Sequence, residues 1–295
     1  MARPRFSGVY VPLATPFTKD GSLNEPVLRQ LVDYLIAEGV TGLAPCGTTG
    51  ESATLTHDEH KRVVEIVVEQ TNGRVPVIAG TGSNSTAEAV DLTRHAERSG
   101  ADAVLVICPY YNRPTQQGLI AHFRRVADST ELPVIMYNIP KRTGVNMEVA
   151  TTLQLAKQPN IVGTKEGSGD VDQVMRIIAE AEDFSVLSGE DNLLLPICAL
   201  GGTGGIVASA HFAVPDWVRL VEAVEAGRME EARKLHYRLL ALVRAVFYET
   251  NPIPVKAGLE LLGIPAGPPR LPMTPATDNC RAVLKATFEK LGLLT

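Results

Sequence analysis

The 295-residue sequence predicts a (β/α)8 TIM barrel followed by a helical C-terminal appendage. Over residues 1–226, short β-type apolar runs alternate eight times with amphipathic helical patterns. Beyond residue 226 only helical patterns remain. A doubly wound open sheet is the alternative, but no G-x-G-x-x-G motif follows the first predicted strand. We therefore expect a catalytic barrel over residues 1–226 and a helical region over residues 227–295.

Each predicted strand is a short apolar run bounded by Gly, Pro or polar residues. The strands are predicted at Val9–Ala14, Gly42–Pro45, Val75–Ala79, Ala103–Cys108, Val134–Tyr137, Ile161–Lys165, Ser185–Leu187 and Gly205–Ala208. The barrel helices are indicated by apolar residues three and four positions apart. They are predicted at Glu25–Glu38, His57–Gln70, Ser85–Ser99, Thr115–Ser129, Met147–Ala156, Val171–Glu182, Asn192–Leu200 and after Pro215.

The C-terminal region contains three further helical patterns, at Glu230–Tyr248, Val255–Leu262 and Asp278–Leu291. The link over residues 263–275 contains five prolines, so it cannot be helical throughout. We expect this region to pack on the barrel or on a neighbouring subunit.

Composition narrows the class of protein. The chain is 45% hydrophobic and 21% charged with a net charge of -5, and no basic run favours nucleic acid or an anionic membrane surface. Its four cysteines are scattered, as is typical of buried thiols in a reducing compartment. There is no signal-peptide pattern and no apolar stretch approaching ~18 residues. The sequence therefore predicts a soluble cytoplasmic protein.

Lys165 is the first candidate for chemistry. It ends an apolar strand and precedes the glycine-rich turn 167–170 and a helical pattern. In parallel α/β folds the carboxyl ends of the strands carry the active site. A lysine that loses water contacts there has a lowered pKa, so its neutral amine can attack a ketone. The simpler interpretation is a surface lysine that pairs with Glu166.

The other strand ends supply polar groups suited to the same chemistry. The Gly-Thr-Thr-Gly turn at residues 47–50 offers backbone N–H groups and hydroxyls that suit a small carboxylate. Tyr111 and Tyr137 offer phenols that can move protons. Taken singly, each could be a structural loop or aromatic packing. No His/Cys/Asp cluster has metal-ligand spacing, so we expect no metal site, and no G-x-S-x-G motif is present.

Several ordered motifs together resemble the dihydrodipicolinate synthase family of pyruvate-dependent class I aldolases, nearly from end to end. They are Gly47-Thr-Thr-Gly-Glu-Ser, Pro109-Tyr-Tyr-Asn-Arg-Pro, Tyr137-Asn-Ile-Pro-Lys-Arg-Thr-Gly, Gly163-Thr-Lys-Glu and Asn251-Pro-Ile-Pro-Val-Lys. The resemblance implies condensation of pyruvate with L-aspartate 4-semialdehyde. This is the first committed step of diaminopimelate and lysine biosynthesis.

The resemblance also implies residue roles. Lys165 would form a Schiff base with pyruvate, and Tyr137 would relay protons with Thr48 and with Tyr111 from a neighbouring subunit. Thr49 and the backbone near Ile206 would bind the carboxylate of pyruvate. Arg142 would bind the carboxylate of the second substrate. A forked guanidinium suits a carboxylate partner. The protonated imine is the electron sink, which makes a cofactor unnecessary.

Two further expectations follow from the resemblance, one for assembly and one for regulation. The family is typically a dimer of dimers, so we expect a homotetramer. Its lysine-sensitive members bind L-lysine at positions that match residues of this chain. These residues are Ser52, Ala53, His57, His60, Asn84, Glu88 and Tyr110. Without the family, a polar solvated helix face would be the simpler interpretation.

Sister aldolases that use the same imine are the alternative, such as N-acetylneuraminate lyase or a keto-deoxy-sugar-acid aldolase. Lys165 and Tyr137 do not separate these enzymes from the synthase. Thr49 favours the synthase, because we expect Gly-Ser-Thr-Gly in the sialic-acid enzymes. Arg142 favours it as well, since it suits a short acidic aldehyde better than a polyol. A barrel that has lost catalysis is a third possibility, against which the full set of reactive groups argues.

Overall fold

The computed structural model describes residues 5–294. Its eight strands form one sheet in the order β2-β1-β8-β7-β6-β5-β4-β3, with helices between successive strands. The strands are β1 (Gly8–Val11), β2 (Gly42–Leu43), β3 (Ile78–Gly80), β4 (Ala103–Ile107), β5 (Val134–Asn138), β6 (Ile161–Glu166), β7 (Ser185–Ser188) and β8 (Gly204–Ile206). An isolated parallel bridge joins Leu43 to Val77, next to the start of β3. The fold is a TIM barrel, as predicted.

The described chain contains helices after every strand and at the C-terminus. They are α1 (Glu25–Ala37), α2 (His57–Thr71), α3 (Thr86–Arg98), α4 (Gln116–Ala127), α5 (Pro140–Thr143), α6 (Val149–Leu155), α7 (Val171–Glu180), α8 (Leu194–Ala199), α9 (Val214–Glu225), α10 (Met229–Val246), α11 (Ile253–Leu261) and α12 (Asp278–Leu291). No helix within residues 5–294 is both long and apolar enough to cross a membrane.

The chain packs into two compact units. The first contains Ile78–Ile206 and the residues up to Gly8, so it holds β3 to β8 and α3 to α8. The second contains Val9–Val77 and the chain from Val207, so α9 to α12 pack in the same unit as β2, α1 and α2. The domain boundary predicted at residue 226 stays a prediction.

The predicted strands are displaced or too long at several ends. β1 ends at Val11 rather than Ala14, β2 ends at Leu43, and β3 begins at Ile78 rather than Val75. Pro12, Pro45 and Pro76 lie beside these ends, and proline cannot donate to a ladder hydrogen bond. Apolar composition continues past the strand ends because the flanking residues are also buried.

The helix predictions differ from the structure at two places. The pattern at 192–200 is a 3-10 turn over Asp191–Leu193 followed by α8, and the four-residue helix α5 was not predicted at all. A single turn beginning at Pro140 has no apolar periodicity to detect. The proline-rich link at 263–275 contains no helix, which agrees with the prediction that it cannot be helical throughout.

Helix caps fix two loops that matter below. Thr56 caps α2 through a reciprocal capping box with Glu59, and Asp170 accepts the Gln173 N–H at the start of α7. The second cap ends the turn that follows β6. Both loops therefore have a defined exit into a helix.

Candidate active site

Lys165 and Tyr137 lie side by side on neighbouring strands of the first unit. The parallel register of β5 and β6 pairs Tyr137 with Lys165. Paired residues point to the same face of a sheet, so the two side chains meet. Lys165 Nζ lies 4.2 Å from the centroid of the Tyr137 ring. Both residues are buried, with exposed fractions of 5% for Lys165 and 4% for Tyr137.

The surroundings of Lys165 increase the fraction of its amine that is neutral. Burial lowers the pKa of Lys165 from 10.5 to about 8, and the charges of Arg142 and Lys141 act in the same direction. The carboxylates of Asp191 and Glu190 oppose the shift. Near neutral pH, roughly a tenth of the amine is neutral, compared with well under a thousandth for an ordinary lysine. Such an amine can act as a nucleophile toward a carbonyl.

The next residue pair, Asn138 and Glu166, points to the opposite face. Glu166 is buried, and its carboxylate accepts hydrogen bonds from Asn138 Nδ2 at 3.1 Å, from Ser168 N at 2.9 Å and from Gln173 Nε2 at 3.3 Å. Burial raises the pKa of Glu166, whereas these donors favour its charged form. The simpler interpretation, a surface lysine paired with Glu166, is therefore wrong, because alternation along β6 sends the two side chains to opposite faces.

Arg142 lies on the short helix α5, after β5, and is exposed. Its neighbour Lys141 forms an ion pair with Glu190 after β7, with Nζ 2.5 Å from Oε1. Asp191, the next residue, is buried. Two cationic side chains and two carboxylates therefore follow β5 and β7, and all four act electrostatically on Lys165.

Tyr111 lies at the apex of a tight turn after β4. Its φ is +71°, and the N–H of Asn112 donates to the carbonyl of Tyr110 at 2.8 Å, which is a γ-turn pattern. The Tyr111 side chain is 90% exposed. Left-handed backbone is costly for a bulky residue and is found most often at functional sites.

Ile206 ends β8 and is buried. This strand begins at Gly204, with φ +145°, where a Cβ would lie only 2.0 Å from the carbonyl oxygen of Gly8. Only glycine fits at this close approach. The backbone that leads to Ile206 is therefore held tightly against the start of β1.

Thr48 and Thr49 belong to the second unit, in the turn after β2. Thr49 is buried, and its Oγ1 accepts a hydrogen bond from Asn251 Nδ2 at 2.9 Å. The Gly50 carbonyl accepts from Thr15 Oγ1 at 2.7 Å. Thr48 is half-buried. The turn is thus anchored from both sides by side chains distant in sequence.

Glu51 closes the same turn in a left-handed conformation, with φ +54°. Its carboxylate accepts from Lys256 Nζ at 2.7 Å and from the backbone N–H of Arg270 at 2.9 Å. The Glu51 and Lys256 side chains are only 3% and 2% exposed. The sequence alone does not predict these partners of the turn, although Asn251 and Lys256 lie in one of the motifs that carry the family resemblance.

The residues expected to bind lysine are distributed over both units. Ser52 and Ala53 lie in a 3-10 turn after Glu51, and α2 carries His57 exposed and His60 buried. In the first unit, the three remaining residues, Asn84, Glu88 and Tyr110, are half-buried. Within that unit Glu88 Oε2 accepts from Ser83 Oγ at 2.7 Å, and the Asn84 carbonyl accepts from Asn112 Nδ2 at 2.9 Å.

Comparisons with known proteins identify the family of this chain. The model of the dihydrodipicolinate synthetase family matches residues 5–291. The chain is 52% identical to 4-hydroxy-tetrahydrodipicolinate synthase of Methanothrix thermoacetophila, over 98% of both chains. DHDPS from Cyanidioschyzon merolae with lysine bound superposes with a TM-score of 0.96 at 43% identity, covering 98% of this chain and 99% of that one. Chloride-inhibited dihydrodipicolinate synthase from Acinetobacter baumannii, complexed with pyruvate, gives 0.95 at 38% identity over 98% and 99%. The chain therefore belongs to the dihydrodipicolinate synthetase family.

Proposed function

We propose that this protein condenses pyruvate with L-aspartate 4-semialdehyde to give 4-hydroxy-tetrahydrodipicolinate, the first committed step of diaminopimelate and lysine biosynthesis. The observation that carries the proposal is the buried amine of Lys165, 4.2 Å from the Tyr137 ring centroid, in a chain of this family. The name of the Methanothrix relative and the pyruvate complex of the Acinetobacter enzyme support the same substrates.

Lys165 acts as the nucleophile. Its neutral amine attacks the ketone of pyruvate, and loss of one water gives the imine. Loss of a methyl proton gives an enamine, which forms a carbon–carbon bond to the aldehyde. The amino group of the second substrate then attacks the imine carbon, closes the ring and releases Lys165. One water leaves overall, and the protonated imine accepts the electrons throughout.

The remaining residues bind substrate and move protons. Tyr137 relays protons with Thr48 and with Tyr111, which its 90% exposure makes available to a neighbouring subunit. Thr49 and the backbone near Ile206 hold the pyruvate carboxylate. In this proposal Arg142 receives the carboxylate of the semialdehyde, and its position on the exposed helix α5 leaves the guanidinium accessible.

Borohydride trapping tests the proposal. Pyruvate plus borohydride should leave a reduced three-carbon adduct on Lys165, found by peptide mass spectrometry. Lys165→Ala should carry none, whereas the exposed-lysine control Lys157→Ala should be labelled normally. A coupled assay with both substrates should show turnover in the wild type and in Lys157→Ala, and none in Lys165→Ala. An adduct on another lysine would rule out this mechanism.

The role of Arg142 is tested by its effect on the two substrates. Arg142→Ala should raise the KM for the semialdehyde roughly tenfold to a hundredfold, which is the usual cost of a lost charge-assisted hydrogen bond. The KM for pyruvate should change little. Arg176→Ala, an exposed arginine on α7, is the matched control. Equal losses for both substrates would mean that Arg142 supports only the fold.

We propose a cytoplasmic homotetramer whose tight dimer shares Tyr111 across the active sites. Mixed dimers of Tyr111→Phe and Lys165→Ala subunits should regain part of the activity, because one site per dimer is then complete. Sedimentation should give a tetramer. Inactive hybrids of verified composition would contradict the sharing.

We propose that L-lysine inhibits the enzyme at Ser52, Ala53, His57, His60, Asn84, Glu88 and Tyr110. The Cyanidioschyzon structure with lysine bound supports lysine as a ligand of such an enzyme. Tyr110 adjoins Tyr111, so an effector there could alter the relay through small shifts. Lysine titration should inhibit the wild type, and Glu88→Ala should weaken the inhibition. Undiminished inhibition in that variant would place the effector elsewhere.

A further inference from the structure

The segment from Asn251 to Lys256 has no role in the function proposed above, yet it contacts the turn that holds Thr49. Asn251 is 6% exposed and Thr49 is 1% exposed. Their side chains are joined by a hydrogen bond of 2.9 Å in which Asn251 Nδ2 donates to Thr49 Oγ1. The two residues are 202 positions apart in sequence. The contact therefore ties the C-terminal part of the chain to the turn after β2.

The direction of this hydrogen bond determines what the Thr49 hydroxyl can do. A threonine hydroxyl has one hydrogen to donate and two lone pairs that accept. Because the amide of Asn251 donates to Oγ1, the hydroxyl hydrogen is not used in this contact. A carboxylate can only accept, so a group that binds it must donate.

We propose that Asn251 is a positioning residue that makes the Thr49 hydroxyl a donor to the carboxylate of the keto-acid substrate. The inference rests on the proposed function, in which Thr49 binds pyruvate. Asn251 itself does not touch the substrate. It acts by occupying a lone pair of Oγ1, so that the hydroxyl hydrogen is directed toward the bound anion.

The ion pair between Glu51 and Lys256 holds the backbone of the same turn. Glu51 is left-handed, a conformation that a non-glycine residue keeps only where its surroundings enforce it. Here Lys256 Nζ at 2.7 Å and the Arg270 N–H at 2.9 Å fix its carboxylate. Asn251 and Lys256 lie in one segment. This segment therefore orients the Thr49 hydroxyl and also stabilises the conformation of the turn.

The decisive variant is Asn251→Asp, which keeps the shape of the side chain and replaces its donor by an acceptor. The Thr49 hydroxyl would then donate to the new carboxylate and be lost to the substrate. We expect the KM for pyruvate to rise roughly tenfold to a hundredfold, the range for a hydrogen bond to a charged group, with a much smaller change in kcat. The KM for the second substrate should not change.

The pH dependence gives a readout that a merely structural role would not move. A buried aspartate has a raised pKa, and its protonated form can donate to Oγ1 as the asparagine does. The ratio of the variant's pyruvate KM to the wild-type KM should therefore shrink as the pH falls. A ratio that is constant with pH would contradict the proposal.

A double-variant cycle tests whether Asn251 acts through Thr49. In a Thr49→Val background, Asn251→Asp should change the pyruvate KM by less than about threefold, because the hydroxyl is already absent. Additive effects would overturn the proposal. If Asn251→Asp does not fold, Asn251→Ala takes its place. Asn251→Ala should raise the pyruvate KM about threefold to tenfold, and this rise should be absent in the Thr49→Val background.

Asn160→Asp is the matched control, since Asn160 Nδ2 also donates to chain atoms, the carbonyls of Ala127 and Thr130, but ahead of β6. Its pyruvate KM should equal that of the wild type. Borohydride trapping of the wild type separates the two hypotheses. Without a pyruvate adduct the proposed function fails. With an adduct and an unchanged KM in Asn251→Asp, only the present inference fails.

Discussion

Two buried lysines, one in each compact unit, lie over aromatic rings in the same way and differ in their partners. Lys165 Nζ lies 4.2 Å from the Tyr137 ring centroid, and Lys256 Nζ lies 4.2 Å from that of Phe17. Their exposed fractions are 5% and 1%. Burial lowers the pKa of both, so desolvation alone does not distinguish them.

The difference is the nearest carboxylate. Lys256 has Glu51 at 2.7 Å, which opposes the lowering of its pKa and holds the ammonium in place. Lys165 forms no ion pair with the described residues 5–294, and the charges of Asp191 and Glu190 only oppose the lowering of its pKa. A buried lysine with a bonded carboxylate is structural, whereas one without can lose its proton and react.

The largest expected effect is the loss of turnover in Lys165→Met. Removing the nucleophile should lower kcat roughly a thousandfold or more, as for other covalent catalysts. The melting temperature should stay the same or rise, because a buried cation without an ion-pair partner is replaced by an apolar side chain. Steady-state assays and thermal melts check both. A large fall in the melting temperature would contradict the proposed contrast between the two lysines.

Lys256→Met should have the opposite pattern. It leaves Glu51 buried without its cation, so the free energy of unfolding should fall by about 3–5 kcal/mol. In Glu51→Gln/Lys256→Met no charge is left unpaired, so the double variant should be more stable than Lys256→Met. Urea unfolding of the three proteins measures this. A double variant no more stable than Lys256→Met would show that the pair adds no specific coupling.

A third buried base, His211, extends the comparison to a side chain whose two nitrogens are both bonded. Nδ1 donates to the Ala208 carbonyl at 2.8 Å, and Nε2 accepts the Ala14 N–H at 3.1 Å, so the neutral ring is required. Burial lowers the pKa of His211 to about 4. Its contribution to stability is therefore complete above pH ~6.5 and is lost progressively as the pH falls toward 4.

This contribution to the free energy of unfolding should be about 2 kcal/mol smaller at pH 5 than at pH 7. Urea unfolding at the two pH values measures it. In His211→Gln the difference in the free energy of unfolding between pH 7 and pH 5 should shrink by that amount. An unchanged difference in His211→Gln would assign the acid sensitivity to other groups.

The smallest expected effect is the pH dependence of imine formation at Lys165. Its pKa of about 8 means that the neutral amine increases with pH up to that value and then levels off. The rate of borohydride-trapped adduct formation should therefore rise about tenfold per pH unit below pH 8. A rise that continues to pH 10 would indicate an ordinary lysine and remove the distinction drawn above.

The sequence allowed the fold, and the position of Lys165 at the end of a strand, to be predicted because both depend on local pattern. The catalytic role of Lys165 came from the resemblance of several motifs to a family and stays a proposal. Alternating apolar strands and amphipathic helices indicate a barrel, and Lys165 ends one of those strands. Glu51 could not be assigned to Lys256 in this way, because periodicity carries no information about a partner 205 positions away. Nor does the stretch from Pro109 to Pro114 predict the left-handed backbone of Tyr111, which a tyrosine rarely adopts.

The contacts of Thr49 and Glu51 also determine when in synthesis this turn can form. Their partners Asn251 and Lys256 follow 202 and 205 residues later. At ribosomal speeds of 5–20 residues per second, this separation corresponds to a delay of about 10–40 s. During that time the Glu51 carboxylate has no cation from this segment and has to remain hydrated. The turn after β2 can therefore gain these two contacts only after the segment from Asn251 to Lys256 has been synthesised.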